Sequence, residues 1–173
     1  MTTRRVFEEI SVGDELPPVL IGPLTTAHLM RWSAATENWH KIHYDLPFAT
    51  GHDKLPSLLI NGSLKQQFVA SFLKDWAGPE GWAWKIRFQF RAMNLVGETL
   101  TLWARVTGKH TSPAFGLVEL ELGIRNEAGT ESTPGTAIVA LPYRDGQPVP
   151  YPFVAPADFG QERASPTGAK KSA

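Results

Sequence analysis

The sequence predicts an α+β domain in which one long helix packs against an antiparallel sheet. Two observations carry this reading. Leu64, Phe68, Val69, Phe72, Leu73 and Trp76 form an apolar stripe of helical spacing, and after it the apolar residues recur at every second position through four segments. A third observation bounds the class. The chain has 173 residues with 17 Lys+Arg against 17 Asp+Glu and 42% hydrophobic residues, the balance of a soluble globular protein of about one domain.

The elements follow in order. Val19 to Ile21 could add an N-terminal strand. Leu24, His28, Leu29, Trp32 and Ala35 have helical spacing over Leu24 to Thr36, with Thr25 or Thr26 as N-cap. The Leu64–Trp76 helix is preceded by Asn61-Gly62-Ser63 as a capping segment and closed by Gly78-Pro79. Trp82, Trp84, Ile86, Phe88 and Phe90 then alternate with Ala83, Lys85, Arg87, Gln89 and Arg91, a strand with one core face and one basic face. Leu100 to Val106, Val118 to Ile124 and Thr136 to Leu141 make three more strands. Their connections, at Met93–Glu98, Gly108–Pro113 and Asn126–Gly135, are short enough for antiparallel meanders. A long central helix wrapped by a curved antiparallel sheet is the hot dog arrangement. The remaining face and edges of such a sheet make dimerisation the expected solution.

The working domain is residues 4–145. From Gly146 to Ala173 five prolines and the final SPTGAKKSA read as an extended tail trailing into disorder, although Tyr151 to Phe153 could lie on the body of the fold. With no cysteine, disulfides, thiolate catalysis and Cys-based zinc sites are excluded. The zero net charge argues against a nucleic-acid binder. No stretch approaches the ~20 apolar residues of a membrane span, and MTTRRVFEEISVGD lacks the apolar run of a signal peptide, so the expected compartment is the cytoplasm. Six Trp, three Tyr and nine Phe imply a bulky core, an apolar pocket or a buried subunit interface.

The polar residues that could carry chemistry lie between the two helices, in WSAATENWHKIHYDLPFA, Trp32 to Ala49. His40 and His43 share this loop with Asn38, Asp45 and Glu37, and histidine is the side chain best placed to exchange protons near neutral pH. A metal reading of His40-x-x-His43 finds no further ligands at a recognisable spacing. Asp45 is expected to fix the loop backbone or to pair with a cation.

The string Thr36-Glu37-Asn38-Trp39-His40-Lys41-Ile42-His43-Tyr44-Asp45, with Ala49 after it, resembles the signature of the MaoC-like (R)-specific enoyl-thioester hydratases and dehydratases, S-G-D-x-N-P-[IL]-H-x-D. The family histidine falls on His43. Asn38 stands where the family has its catalytic aspartate, and this variant looks more like the C-terminal half of the mesaconyl-thioester hydratases. LPSLLINGSL, Leu55 to Leu64, resembles the family's P-x-[IV]-x-H-G-x-L segment, with Asn61-Gly62 for His-Gly. The resemblance spans roughly Phe7 to Gly108. It implies a hot dog fold, an acyl-CoA thioester substrate, no cofactor and no metal, with a homodimer or a related hot dog subunit as partner.

Hydrating a 2-enoyl thioester requires a base for water, a group that orients it, and N–H donors for the enolate oxygen. Gly62, at the predicted start of the central helix, is the oxyanion candidate. An amide at position 38 can orient water but cannot accept a proton at neutral pH, so His43 must carry the proton, alone or shared with His40. The candidate catalytic set is therefore Asn38, His43 and Gly62, with Trp39, His40, Asn61 and Ser63 as substrate-binding neighbours. Ser63 is a helix-capping residue rather than a nucleophile, since no G-x-S-x-G surrounds it. The basic strand face of Lys85, Arg87 and Arg91 is either solvated or meets the phosphates of CoA. Two alternatives stand beside the hydratase: a non-catalytic or weakly active subunit of a heteromeric dehydratase, and a hot dog thioesterase. The thioesterase is disfavoured because Asp75 lies near the far end of the central helix.

Overall fold

The computed structural model describes residues 4–157 and 159. The chain runs β1 (Val19–Ile21), α1 (Thr26–Ala35), α2 (Gly62–Ala77), β2 (Trp82–Phe88), β3 (Leu100–Thr111), β4 (Gly116–Arg125) and β5 (Gly135–Leu141). Short 3-10 turns at Phe7–Glu9 and Lys41–His43 and a π-helical turn at Phe48–His52 punctuate it.

The strands form one antiparallel sheet in the order β1-β3-β4-β5-β2. Leu100, Leu102, Ala104 and Val106 of β3, Val118, Leu120, Leu122 and Ile124 of β4, and Ala137, Val139 and Leu141 of β5 turn their alternate side chains into one core. The buried face of α2, with Leu64, Val69, Phe72, Leu73 and Trp76, fills the same core. Gly78, at a φ of 74°, ends α2 as the sequence predicts, in a conformation that favours glycine. The turn at Phe7–Glu9 closes the far side, with the Phe7 ring in the space that a Cβ on Gly116 would occupy.

Three expectations change. In β2 the pairing with β5 slips between Ala83 and Lys85, a bulge that breaks the two-residue alternation. Ala83 and Ile86 therefore pack on the main core, while Trp84 turns to the outer face of the sheet and Trp82 is exposed. The strand also stops at Phe88, which leaves Phe90 outside it. A second bulge, between Val106 and Gly108, carries β3 on to Thr111, so the segment expected as a connection is mostly strand. The aromatic surplus thus divides between the two faces of the sheet.

That outer face is covered from the end of the chain. Phe153 stacks on Trp82, lies 5.4 Å from the Trp84 ring and 5.5 Å from that of Phe115, and Val149 N–H donates to Glu80 O at 2.9 Å. Phe159 packs edge-on against Trp84. Residues 158 and 160–173, where the rest of the expected tail falls, lie outside the described residues. Among the described residues no helix is long and apolar enough to cross a membrane.

Candidate functional site

Two distant stretches of sequence meet at the entrance to α2. Leu59 N–H donates to Ile42 O at 3.0 Å, and the His43 ring returns a bond to Leu59 O at 2.7 Å through Nδ1. The loop bearing His43 is thereby clipped to the segment that leads into Gly62. On its other side the same segment is held by Ile60 N–H to Asn94 O and Val96 N–H to Leu58 O, both 2.9 Å. The helix start is fixed between two loops.

A carbonyl oxygen can only accept, so Nδ1 of His43 is the protonated nitrogen of the neutral ring, and Nε2 keeps its lone pair. His43 is only 6% exposed. Burial lowers its pKa below the ordinary 6.5, against the raising effect of the Leu59 carbonyl, and the charge of His40 lowers it further. The two imidazole centroids are 6.3 Å apart. His40 itself is exposed, with Nδ1 accepting from Ile42 N–H across 3.5 Å at the start of the 3-10 turn.

Asn38 follows the C-terminus of α1, where Glu37 adopts a positive φ of 52°. Its N–H donates to Ser33 O at 2.9 Å, and its Oδ1 accepts from His40 N–H at 3.3 Å. Asn38 is thus a turn asparagine that shapes the histidine loop. Ser33 also reaches the helix start, because its buried Oγ accepts from Asn61 Nδ2 at 3.2 Å. Asn61 is fully buried, and its Oδ1 has no partner among the described residues. One serine on α1 thus contacts both asparagines of the candidate set.

At α2 the cap differs from expectation. Asn61 is the N-cap residue, its side chain makes no cap bond, and its carbonyl accepts from Leu64 and Lys65 N–H. Gly62 and Ser63 N–H have no acceptor among the described residues, as the first turn of a helix requires of its leading amides. Ser63 does not cap. It stands inside the first turn, and its Oγ accepts from Trp32 Nε1 at 2.8 Å. Trp39 is 55% exposed beyond the loop, where Tyr44 Oη donates to its carbonyl. Asp45 fixes the loop backbone by accepting from Phe48 N–H at 3.0 Å.

Sequence reasoning missed Ser33, Lys65 and Phe90. Ser33 follows the buried Leu29 by four residues, and Lys65, Val69, Phe72 and Trp76 recur at steps of four, three and four. A polar residue at a core-facing step was the available signal. Phe90 covers Gly62 so closely that a Cβ there would lie 3.0 Å from its Cε2. Lys65, 3% exposed, sends Nζ to Asn94 Oδ1 at 3.0 Å and Ala92 O at 3.4 Å. Among the described residues no three His, Cys, Asp or Glu side chains converge as a metal-ligand set.

Beside Trp32 a cleft of about 330 Å³ opens between α1 and α2, lined by Ile21, Leu24, Ala35, Leu64 and Phe68. A larger hollow of about 640 Å³ lies along α2 toward Gly78 and Trp82, away from His43. The smaller cleft reaches Leu64, in the first turn of α2.

Solved structures share this architecture. The (R)-hydratase from A. caviae involved in PHA biosynthesis superposes with a TM-score of 0.68 at 20% identity, over 78% of this chain and 99% of that one. The fold is the hot dog fold. A second hot dog relative, unliganded (R)-hydratase PhaJ1 from Pseudomonas aeruginosa, gives 0.69 at 18% identity, over 80% and 86% of the two chains. A chain of the ChsH1-ChsH2 complex from Mycobacterium tuberculosis gives 0.65 at 19%, over 76% and 98%. By sequence, residues 20–98 match the family model described as hydroxyacyl-thioester dehydratase type 2. No curated protein matches the sequence. The hot dog expectation is met, and the resemblance to MaoC-like (R)-hydratases is met by the family match and the fold together.

Proposed function

We propose that this hot dog chain catalyses the reversible hydration of a 2-enoyl-CoA to a 3-hydroxyacyl-CoA, with residues 4–145 as the catalytic unit. The observation that carries the proposal is the double clip between Ile42-His43 and Leu59, which joins an imidazole Nε2 to the leading N–H groups of a helix, neither bonded among the described residues. In hydration, His43 Nε2 takes a proton from water as the water oxygen bonds to Cβ. The π pair of the Cα–Cβ double bond shifts to form the Cα–carbonyl double bond of the enolate. The carbonyl π pair moves onto the thioester oxygen, and Gly62 N–H stabilises that oxygen. The enolate collapses as the imidazolium returns the proton to Cα, and dehydration is the reverse. Asn38 and His40 position the water, and Trp39, Asn61 and Ser63 border the substrate. The cleft between α1 and α2 suits the apolar acyl chain.

A test is hydration of a short enoyl-CoA, followed by loss of enone absorbance. His43→Ala is expected to lower the rate by at least about a thousandfold, since it removes the only proposed base. An unchanged rate in a folded variant overturns the proposal.

A second reading, in which the chain is the weak or non-catalytic half of a heteromeric dehydratase, is favoured by one observation. Asn38 stands where the resembled signature has its acid, and here its carbonyl oxygen is given to the loop. Copurification with a related hot dog chain, and activity only in the mixture, would support it. Turnover by a homodimer would exclude it. Cytoplasmic location and a role in fatty acid metabolism accompany the first reading as proposals.

A further inference from the structure

Lys65 is a buried cation where helix electrostatics disfavour one. It stands in the first turn of α2, beside the positive end of the dipole, and no acidic residue shares that turn. Its ammonium is nonetheless held in place. Asn94 Oδ1 and Ala92 O accept its protons, and the Phe90 ring centroid lies 4.9 Å from Nζ. That ring also sits against Gly62, with Cε2 3.0 Å from the place of a Gly62 Cβ. Phe90 therefore touches both the cation and the glycine, an apolar spacer between a charge and two amides that have no acceptor among the described residues. The negative counterpart is set back, because Asn94 Nδ2 donates to Glu98 Oε2 at 2.8 Å. A positive charge behind the helix start, with its acid one residue removed, raises the potential at Gly62 N–H.

We propose that Lys65 is a positioning residue of the hydratase site: its ammonium holds Phe90 against Gly62 and strengthens the helix N-terminal field on the enolate oxygen. This rests on the proposed hydratase reading. The groups facing Lys65 are few. The 92–98 loop supplies Asn94, Ala92 O and the charged Glu98, Phe90 faces it beyond β2, and α1 meets the turn through the neutral Ser33–Asn61 pair. Burial pushes Lys65 down to about 8, with Glu98 opposing that shift, so the charge is lost within an accessible pH range.

The experiment is a set of pH profiles of kcat and KM from pH 7 to 9.5 for the wild-type chain, Lys65→Arg and Lys65→Met, with His43→Ala as control. Wild-type kcat is expected to fall about tenfold as pH rises through about 8, with KM steady. Lys65→Arg should keep its neutral-pH rate across the range, because guanidinium does not titrate there. Lys65→Met should start about tenfold low in kcat and show no alkaline fall. A residue that only fills space would give no such difference between the profiles. A wild-type kcat flat across the range overturns the inference, as does a folded Lys65→Met with full kcat, and the wild-type profile decides alone if neither variant folds. His43→Ala with full activity defeats the hydratase reading instead. A readout independent of turnover is the melting temperature. The folded protein releases the Lys65 proton near 8 and the unfolded chain only near 10.5, so stability is gained as pH rises between those values. No such gain in the wild-type chain also overturns the inference.

Discussion

With Nδ1–H committed to the Leu59 carbonyl, His43 has one tautomer, and a single bond at 2.7 Å sets both its orientation and which nitrogen can accept a proton. Its lowered pKa keeps the ring neutral at and below pH 6.5, first by burial and then by the His40 charge. The rate of hydration is therefore expected to persist below pH 6.5 and to fall only as pH drops through the lowered value. In kcat/KM profiles His40→Ala should move that acid limb upward, toward 6.5. An unmoved limb would show that His40 exerts no field on the base. The same depression contributes stability that is present above 6.5 and lost as pH falls through the folded-state value, since the unfolded chain takes up the proton first. Asn38 is legible in the sequence only as a departure from a signature. That it shapes the loop through Ser33 O and His40 N–H depended on where α1 ends.

At the scale of elements, α1 and α2 are joined beside the site by Ser33 and Asn61. Both residues are fully buried, and the Asn61 amide depends on the serine hydroxyl for its only hydrogen bond among the described residues. Ser33→Ala would leave both ends of a buried amide unpaired, at a cost of about 1–3 kcal/mol. Urea unfolding monitored by tryptophan fluorescence measures it. A loss below about 0.5 kcal/mol would mean that the amide finds another partner. The helices themselves were plain in the sequence, since the helical stripes and the closing glycine of α2 agree, although the α2 cap does not. The fate of Trp84 and Phe90 was not, because a bulge between Ala83 and Lys85 puts Trp84 on the outer face, the strand stops at Phe88, and no residue type announces either.

For the whole molecule, the sheet has two apolar faces, and the chain covers the second with its own later residues. Phe153 touches Trp82, Trp84 and Phe115, while nothing between Gly146 and Phe153 forms a helix or strand. Phe153→Ala is expected to destabilise by about 1–2 kcal/mol, less than a fully buried ring because Phe153 is half-buried. Hydration activity should be unchanged, since the outer face is remote from the His43 loop. A lowered melting temperature with unaltered kcat/KM is the expected pair of results. Loss of activity at full stability would mean that the outer face communicates with the site.

By itself the sequence determined the class of fold, the order of its elements and the two segments that carry the candidate chemistry. Those features are local, since periodicity, caps and a loop motif each lie within about twenty residues of chain. The tertiary structure decided what depends on distant partners: the clip between Ile42-His43 and Leu59, the sharing of Ser33 by two asparagines, and the burial of Lys65 behind Phe90. Their long-range bonds, His43 to Leu59, Asn61 to Ser33 and Lys65 to Asn94, span 16 to 29 residues of sequence. Hydrogen-bond partners and desolvation belong to the packed chain, and they alone set which nitrogen of His43 is free and where a lysine loses its charge.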